Sequence, residues 1–173
     1  ELRQILLNNR IRAGSLEFDI PEAGFVLDKS GKVKDVVLRE RGNSERIIEE
    51  FMLLANKTVC EYMINSGIPC AYRVHEEPTG EKLDTFAAFV NAFGYKLSKQ
   101  NITPKKMQQL LNKVKGEPIE NAVSIIMLRT LQKARYSSIN HHHFGLAFTN
   151  YCHFTSPIRR YADLIVHRII SDY

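Results

Sequence analysis

A change in hydrophobic periodicity near residue 44 constrains the fold of this 173-residue chain more than any other feature. Before it, KVKDVVLRE at 32–40 alternates polar and apolar residues, as a strand with one buried face does. After it, apolar residues from Ile48 to Met63 recur at helical spacing, and most of the remaining chain has the same character. Strands followed by helices predict an α+β fold, with a small antiparallel strand meander near the N-terminus and a helix-rich portion after it.

The boundaries of these elements follow from turn and capping residues. The meander is predicted from three strands, SLEFDI (15–20), GFVLD (24–28) and KVKDVVLRE (32–40), with DKSG (28–31) as a hairpin turn. Helices are predicted at 2–12, 44–65, 80–93, 104–114 and 118–134, a loop at 136–155, and a last helix from Ser156 to the end. Ser44, Thr103 and Ser156 are the expected N-terminal caps, because a hydroxyl oxygen accepts hydrogen bonds from free backbone N–H groups there.

The composition narrows the class of protein and its partners. The chain is 44% hydrophobic and 25% charged, carries a net charge of +5, and has no apolar run near the ~18 residues of a membrane span. A basic chain favours a polyanionic partner or simply has a basic surface. The three cysteines are Cys60, Cys70 and Cys152, and they have no CxxC spacing. We therefore expect neither a disulfide framework nor a zinc site, and we expect a reducing, cytoplasmic setting. Because the chain opens with Glu1 inside an amphipathic stretch, we expect a segment of a longer protein.

The segment SPIRRYAD (156–163) is the strongest local indication of a ligand. If Ser156 caps the last helix, Arg159 and Arg160 lie in its first turn, where the helix dipole already supplies positive charge. An anion would stabilise two arginines there, since helix N-terminal N–H groups and guanidinium groups both bind phosphate. The alternative is an ion pair between Arg159 and Asp163, which leaves the second arginine unpaired.

Two further segments contain polar residues that face either a pocket or solvent. Glu49 and Glu50 stand among apolar residues and project about 100° apart on their helix, so one of them can point inward. Arg73 and His75 share one face of an extended stretch, where they contact a phosphate or a base, or line a solvent-exposed edge. Both alternatives stay open for each pair.

Candidate metal ligands are sparse. His141, His142 and His143 are consecutive in a loop, and consecutive histidines rarely converge on one ion. The six aspartates are widely spaced, and Asp19 with Glu22 comes nearest to a carboxylate pair, for which a place at a strand-to-turn junction is the simpler account. Nuclease chemistry usually needs several carboxylates around divalent ions, so no metal site is predicted within this chain.

Five blocks of sequence agree in order and spacing with one known family. HFGLA (143–147) is followed by YCHFTSPIRRYADLIVHR (151–168), and both are preceded by RAGSLEFDIPE (12–22), IIEEFMLLAN (47–56) and YRVHEEP (72–78). These blocks resemble the RNB catalytic domain of the ribonuclease II/ribonuclease R family, and among its branches bacterial ribonuclease R most. The resemblance covers nearly the whole chain, and its last block is the most specific.

The resemblance implies an activity and a domain organisation. Members of this family are processive, magnesium-dependent hydrolases that degrade RNA from its 3′ end and release nucleoside 5′-monophosphates. Their magnesium is held by aspartates N-terminal to the quoted blocks, and cold-shock and S1 domains flank the RNB domain. Residues 1–173 are therefore expected to be the C-terminal portion of one RNB domain, with the magnesium-binding aspartates outside this chain. The expected partners are single-stranded RNA 3′ ends and the rest of the parent chain, and neither DNA nor a membrane.

The resemblance also implies roles for individual residues. Arg159 matches the catalytic arginine that binds the scissile phosphate, and Arg160 matches a position that holds the RNA backbone. Of the paired glutamates, Glu50 more than Glu49 matches the acid that helps to place the 3′-terminal nucleotide, so Arg159 and Glu50 are the predicted catalytic residues. The motif positions that line the RNA path are matched by Arg73, His75, His143, Thr155 and Ser156. His141 and His142 match no motif.

Two functions follow for this chain. The first is a part of an exoribonuclease that is inactive by itself, because the aspartates lie elsewhere. The alternative is a non-catalytic RNA-binding module, which the basic charge without a carboxylate cluster favours. In either case, an RNB domain without its first part is expected to leave apolar surface uncovered.

Overall fold

The structure, a computed structural model, describes residues 1–18, 22–39, 42–98 and 100–173. Its elements are α1 (Leu2–Ala13), β1 (Glu22–Leu27), β2 (Val33–Arg39), α2 (Asn43–Asn65), β3 (Tyr72–Val74), α3 (Glu81–Ala92), α4 (Pro104–Val114), α5 (Glu120–Thr130), β4 (Arg135–Ser137), a 3₁₀ turn (Phe144–Leu146) and α6 (Tyr161–Asp172). Within these ranges the predicted α+β class is confirmed, because six helices accompany two small antiparallel strand pairs.

The first strand pair is a hairpin of β1 and β2. Its register runs from Glu22 opposite Arg39 to Leu27 opposite Val33. The predicted turn is confirmed, since the Asp28 carboxylate accepts hydrogen bonds from the backbone N–H groups of Ser30 (2.8 Å) and Lys32 (3.0 Å).

The first of the three predicted strands, SLEFDI at 15–20, is wrong over its described part, residues 15–18. Leu16 is buried and donates its backbone N–H to the Gly145 carbonyl (2.8 Å), so this stretch is tied to the 3₁₀ turn rather than to the hairpin. Residues 19–20 of that strand lie outside the described residues, as do Asp19 and the side chain of Glu22, the possible carboxylate pair.

Helix starts show where local capping rules succeed and fail. Thr103 caps α4 as predicted, with its hydroxyl oxygen accepting the Lys106 N–H (3.3 Å). Ser44 is not a cap, because α2 begins at Asn43 and the Glu45 carboxylate accepts the Gly42 N–H instead (2.7 Å). The helix predicted at 118–134 is confirmed in part, since α5 spans only Glu120–Thr130.

The predicted start of the last helix at Ser156 is wrong. The Ser156 carbonyl accepts hydrogen bonds from the N–H groups of Arg159 (3.3 Å) and Arg160 (3.0 Å), which closes a separate turn. Helix α6 begins only at Tyr161, with Arg160 in an extended conformation as its N-cap. Both arginines therefore precede the helix, whereas the sequence placed them in its first turn.

Two hydrophobic cores hold the chain together. The larger core joins α3, α4 and α5 through fully buried side chains such as Phe86, Met107 and Met127. The smaller core joins α2 and α6, with Met63 and Val166 fully buried. Burial of each such side chain stabilises the fold by roughly 1.5–3 kcal/mol. The smaller core matters for function, because it fixes α6 and the segment before it against α2.

Apolar side chains are also exposed on the hairpin and on one side of α2. Phe25 is 65% exposed, Leu38 71% and Ile48 60%. Where exposed apolar side chains form a large contiguous patch, the patch usually marks an interface. None of the described helices combines the length and the hydrophobicity that a bilayer span requires.

Candidate functional site

An open cleft of about 540 Å³ lies along α2, on the side where the segment before α6 crosses it. Its floor is the apolar stripe of α2, and its polar groups come from both sides. The lining residues are Ser44, Glu45, Ile48, Glu49, Met52, Leu53, Asn56, Tyr151 and Arg160. The cleft therefore combines predicted site residues from two of the quoted sequence blocks, IIEEFMLLAN and SPIRRYAD.

The acid that pairs with Arg160 is Asp163. Its carboxylate is fully buried, and Oδ2 accepts the Ser156 N–H (2.8 Å) and two N–H groups of Arg160, at Nε (3.1 Å) and Nη2 (2.8 Å). Because Asp163 lies in the first turn of α6, it also faces the positive end of the helix dipole. One carboxylate thus orients the Arg160 guanidinium on the cleft and holds the turn before α6 in place.

Arg159 is in a different state from its neighbour. It is exposed, and its side chain makes no hydrogen bond or ion pair with the part of the chain that the structure describes. The alternative pair of Arg159 with Asp163 is therefore wrong, because Arg160 occupies that carboxylate. An exposed guanidinium without a partner is available to an anionic ligand, and its planar fork suits a phosphate.

Asn56 fixes the loop that forms the far wall of the cleft. It is 2% exposed, and its Oδ1 accepts the backbone N–H groups of Phe154 (2.9 Å) and Thr155 (3.1 Å). Its Nδ2 donates to the hydroxyl of Tyr151 (3.1 Å), which lines the cleft. A single buried amide on α2 therefore sets the path of residues 151–155.

We expect Asn56→Ala to destabilise the chain by about 2 kcal/mol, because it leaves two part-buried backbone N–H groups without an acceptor. Urea unfolding followed by circular dichroism measures the change. Thr58→Ala, an exposed substitution on the same helix, is the control and should change the free energy of unfolding by less than about 0.5 kcal/mol. Equal stability of the two variants would contradict the role of Asn56.

The paired glutamates occupy different environments. Glu50 is 6% exposed, and its two carboxylate oxygens accept from Arg10 Nη2 (2.6 Å) and Arg10 Nε (3.4 Å). Burial opposes the charge on Arg10, but its hydrogen bond to Glu50 and its attraction to Glu17 outweigh burial and raise its pKa. Glu49 is exposed and lines the cleft. The structure thus places Glu49 rather than Glu50 at the cleft, while the predicted catalytic role of Glu50 stays a prediction.

Arg73 and His75 do not share a solvent-facing edge. The Arg73 guanidinium lies over the Tyr136 ring, 4.8 Å from its centroid, and the Tyr136 hydroxyl is 2.9 Å from His153 Nδ1. His75 follows the end of β3 and is buried, and its Nδ1 accepts the Gly145 N–H (3.0 Å). Of the two, Arg73 is therefore the more accessible to a ligand, beside an exposed aromatic ring.

His143 packs beside His75, with ring centroids 5.0 Å apart. Its Nδ1 accepts the Leu146 N–H (3.2 Å), and burial and the neighbouring His75 lower the pKa of His143 to about 3. The imidazole is therefore uncharged at neutral pH and acts as an acceptor in the 3₁₀ turn. His141 and His142 are exposed, and neither belongs to a group of potential metal ligands among the described residues.

Thr155 and Ser156, the remaining predicted residues, lie in the segment that leads to α6. Both are half-buried and give their backbone N–H groups to side chains, Thr155 to Asn56 and Ser156 to Asp163. The Thr155 hydroxyl also lies 3.5 Å from Arg160 Nη2. Their contribution in the structure is to position Arg160.

The described residues contain no cluster of three or more carboxylates that converge on one point. Magnesium takes oxygen ligands, usually from one or more carboxylates that converge on one point. Among residues 1–18, 22–39, 42–98 and 100–173, the only potential metal-binding group of three or more side chains consists of cysteines. Its members, Cys60, Cys70 and Cys152, have sulfur atoms within 4.8 Å of one another.

Comparison with known proteins covers the whole chain. The family model described as the RNB domain matches residues 1–173. The chain is 44% identical to "Ribonuclease R 1" of Lactococcus lactis over 99% of its own length and 21% of that protein. It is 44% identical to ribonuclease R of Aquifex aeolicus, over 98% of this chain and 24% of the relative. The chain therefore spans between a fifth and a quarter of the length of these curated relatives.

Solved structures agree with the sequence relatives. Ribonuclease R of Mycoplasma genitalium in complex with ribose-methylated single-stranded RNA superposes with a TM-score of 0.91 at 31% identity, over 98% of this chain and 27% of that one. The same protein in complex with double-stranded RNA gives a TM-score of 0.92. Yeast Ssd1, described as a pseudonuclease, superposes at a TM-score of 0.66 and 28% identity, over 76% of this chain and 17% of that one.

Proposed function

Because this chain belongs to the RNB-domain family, we propose that it forms part of a processive, hydrolytic exoribonuclease that works from the RNA 3′ end. The products are nucleoside 5′-monophosphates. The observation that carries this proposal is the cleft, which both Arg160 and Glu49 line. Arg159, next to Arg160 in the sequence, is exposed and has no side-chain hydrogen bond or ion pair with the described residues. Such a cleft offers cations for a backbone phosphate and a carboxylate for sugar hydroxyls.

Each polar residue has a distinct place in this proposal. Arg159 binds the scissile phosphate and stabilises the charge that develops on it in the transition state. Arg160 contacts the RNA backbone from a fixed orientation, because Asp163 holds two of its N–H groups. Glu49 accepts hydrogen bonds from the terminal nucleotide, where a ribose 2′-hydroxyl distinguishes RNA from DNA. Arg73 and the Tyr136 ring provide a further contact for phosphate and base.

Magnesium belongs to the proposal only through the complete enzyme. When bound, a divalent ion activates water and neutralises charge on a phosphate. Because the described residues contain no cluster of three or more carboxylates, we infer that aspartates outside this chain hold Mg²⁺. In such a composite site, this chain supplies the positive charge of Arg159 and Arg160, and the rest of the enzyme supplies the aspartates that hold the ion.

The substrate and setting are proposed on the same basis. Ribonuclease R of Mycoplasma genitalium has been solved with both single- and double-stranded RNA, and we propose single-stranded RNA 3′ ends as the ligand of this chain. The flanking cold-shock and S1 domains and the first part of the RNB domain are its proposed intramolecular partners. DNA is not an expected ligand, and the cytoplasm is the proposed location.

A non-catalytic RNA-binding module is the second candidate function. The similarity to yeast Ssd1, a pseudonuclease, favours it, because the same fold occurs in a protein described as lacking the nuclease function. Both candidates use the same cleft and the same arginines. They differ in whether a metal-bearing carboxylate group completes the site.

Residues 1–173 alone should bind single-stranded RNA but not degrade it in the presence of magnesium, because the described residues contain no cluster of three or more carboxylates for the ion. Binding should weaken steeply with salt, since phosphate contacts release counterions. With a 5′-labelled RNA, a native gel at several salt concentrations measures binding by the chain. A denaturing gel compares degradation by the chain and by a complete enzyme containing it. Shortening of the labelled RNA by residues 1–173 would contradict an origin of the metal site outside them.

A further inference from the structure

Three thiols from distant parts of the chain meet behind the cleft. Cys60 lies on α2, Cys70 lies just before β3, and Cys152 lies in the loop that leads to α6. Their sulfur atoms are all within 4.8 Å of one another, and all three cysteines are free. The chain contains three cysteines in total, so every thiol in it belongs to this cluster.

The cluster is enclosed by the smaller core. Cys60 and Cys152 are fully buried and Cys70 is 7% exposed, among apolar neighbours that include Met63 and Val166. A buried thiol ordinarily acts as a small apolar side chain, and one such residue needs no other explanation. Packing alone does not require three sulfur atoms from three segments to face one point. Cys70 has the largest exposed fraction of the three, so it is the member that an ion from solvent would meet first.

The spacing of the sulfur atoms suits a metal ion. With metal–sulfur bonds of about 2.3 Å, sulfur atoms in a tetrahedral site lie about 3.8 Å apart, so the cluster needs to contract by about 1 Å or less. Tyr72 packs against the same core, and its backbone pairs with that of Cys152.

We propose that Cys60, Cys70 and Cys152 form a binding site for one thiophilic d¹⁰ metal ion, with three sulfur ligands. Thiolates select Zn²⁺ or Cu⁺ over the oxygen-loving ions of a nuclease centre. An apolar enclosure disfavours a net charge on the complex. Three thiolates give a net charge of −1 with Zn²⁺ and −2 with Cu⁺, so the enclosure favours Zn²⁺. The bound ion ties α2 to the loop that carries Tyr151 and thereby stabilises the wall of the cleft. This site is separate from the proposed function, which does not depend on it.

Titration of the reduced chain with Cd²⁺ under anaerobic conditions tests the site. Cadmium stands in for zinc and gives an ultraviolet sulfur-to-metal charge-transfer band, to which only this cluster can contribute. We expect the band to saturate at one ion per chain and to be lost in the Cys60→Ser/Cys70→Ser/Cys152→Ser variant. Zn²⁺ added to the metal-free wild type should raise its thermal midpoint, since an ion bound only by the folded state stabilises it. A parallel titration with Cu⁺ ranks the two ions.

Unfolded cysteines also bind metals, so the same titration in concentrated urea is the control. The native chain should bind Cd²⁺ at least about tenfold more tightly than the unfolded chain, because the folded cluster is preorganised. Equal affinities would overturn the proposal, as would a band that persists in the triple variant. If the triple variant does not fold, alkylation of the wild type by iodoacetamide decides. Zn²⁺ should protect all three cysteines together, and unchanged alkylation rates would overturn the site.

Discussion

Glu50→Ala should destabilise this chain by about 3 kcal/mol, although the residue was predicted from sequence to be catalytic. The substitution removes the acceptor of two Arg10 hydrogen bonds. Because Arg10 is only 7% exposed in the wild type, its guanidinium is left beside a cavity with little access to water. Glu17 is still within reach of Arg10, so the loss falls at the lower end of the range for breaking a buried pair. Urea unfolding of wild type and variant measures the difference.

Glu49→Ala is the matched control for this experiment. Glu49 is adjacent in sequence and has the same side chain, but it is exposed and lines the cleft. Its loss should change the free energy of unfolding by less than about 0.5 kcal/mol. In a complete enzyme containing this chain, Glu49→Ala should weaken the positioning of the RNA terminus without loss of stability. Equal destabilisation by the two variants would show that the Arg10 pair does not support the fold.

The difference between the glutamates shows what sequence periodicity can and cannot predict. Periodicity placed both residues on one helix, and α2 confirms that helix. It could not decide which carboxylate turns inward, because the partner of Glu50 is 40 residues earlier, in α1. A contact between residues 40 positions apart cannot be predicted from the periodicity of one helix.

The start of α6 was mispredicted for a related reason. Ser-Pro is a common helix start, since serine caps and proline suits the first turn. Here the Asp163 carboxylate binds the Ser156 N–H and the Arg160 side chain together, which stabilises a separate turn before the helix. The competing interaction involves residues already inside the motif, but the motif alone does not reveal which of them pair.

Buried polar residues carried a signal that sequence reasoning missed. Asn56 stands on the apolar side of α2, one turn after Met52 and one turn before Cys60, where an amide is costly unless it is hydrogen-bonded. That position alone indicates a specific partner. The cysteines gave no such indication. Cys152 is far from Cys60 and Cys70 in the sequence, so the spacing of the three residues does not predict their contact.

Arg159→Ala in a complete enzyme containing this chain should lower kcat by roughly a hundredfold to a thousandfold, which corresponds to ~3–4 kcal/mol of lost charge stabilisation. The fold should be unaffected, because the Arg159 side chain makes no hydrogen bond or ion pair within the described ranges. RNA affinity should change little, since other basic residues still hold the backbone. Turnover and binding of a 5′-labelled single-stranded RNA separate these effects.

Two matched variants make this experiment decisive. Arg168→Ala removes an exposed arginine from α6, away from the cleft lining, and should leave kcat within about twofold, as expected for a screened surface charge. Arg159→Lys keeps the charge but loses the planar fork that binds two phosphate oxygens, so its kcat should fall between those of the wild type and the alanine variant. If Arg159→Ala and Arg168→Ala lower kcat equally, or if neither does, Arg159 does not contact the scissile phosphate. A loss confined to RNA affinity would instead assign Arg159 to backbone binding, the role proposed for Arg160.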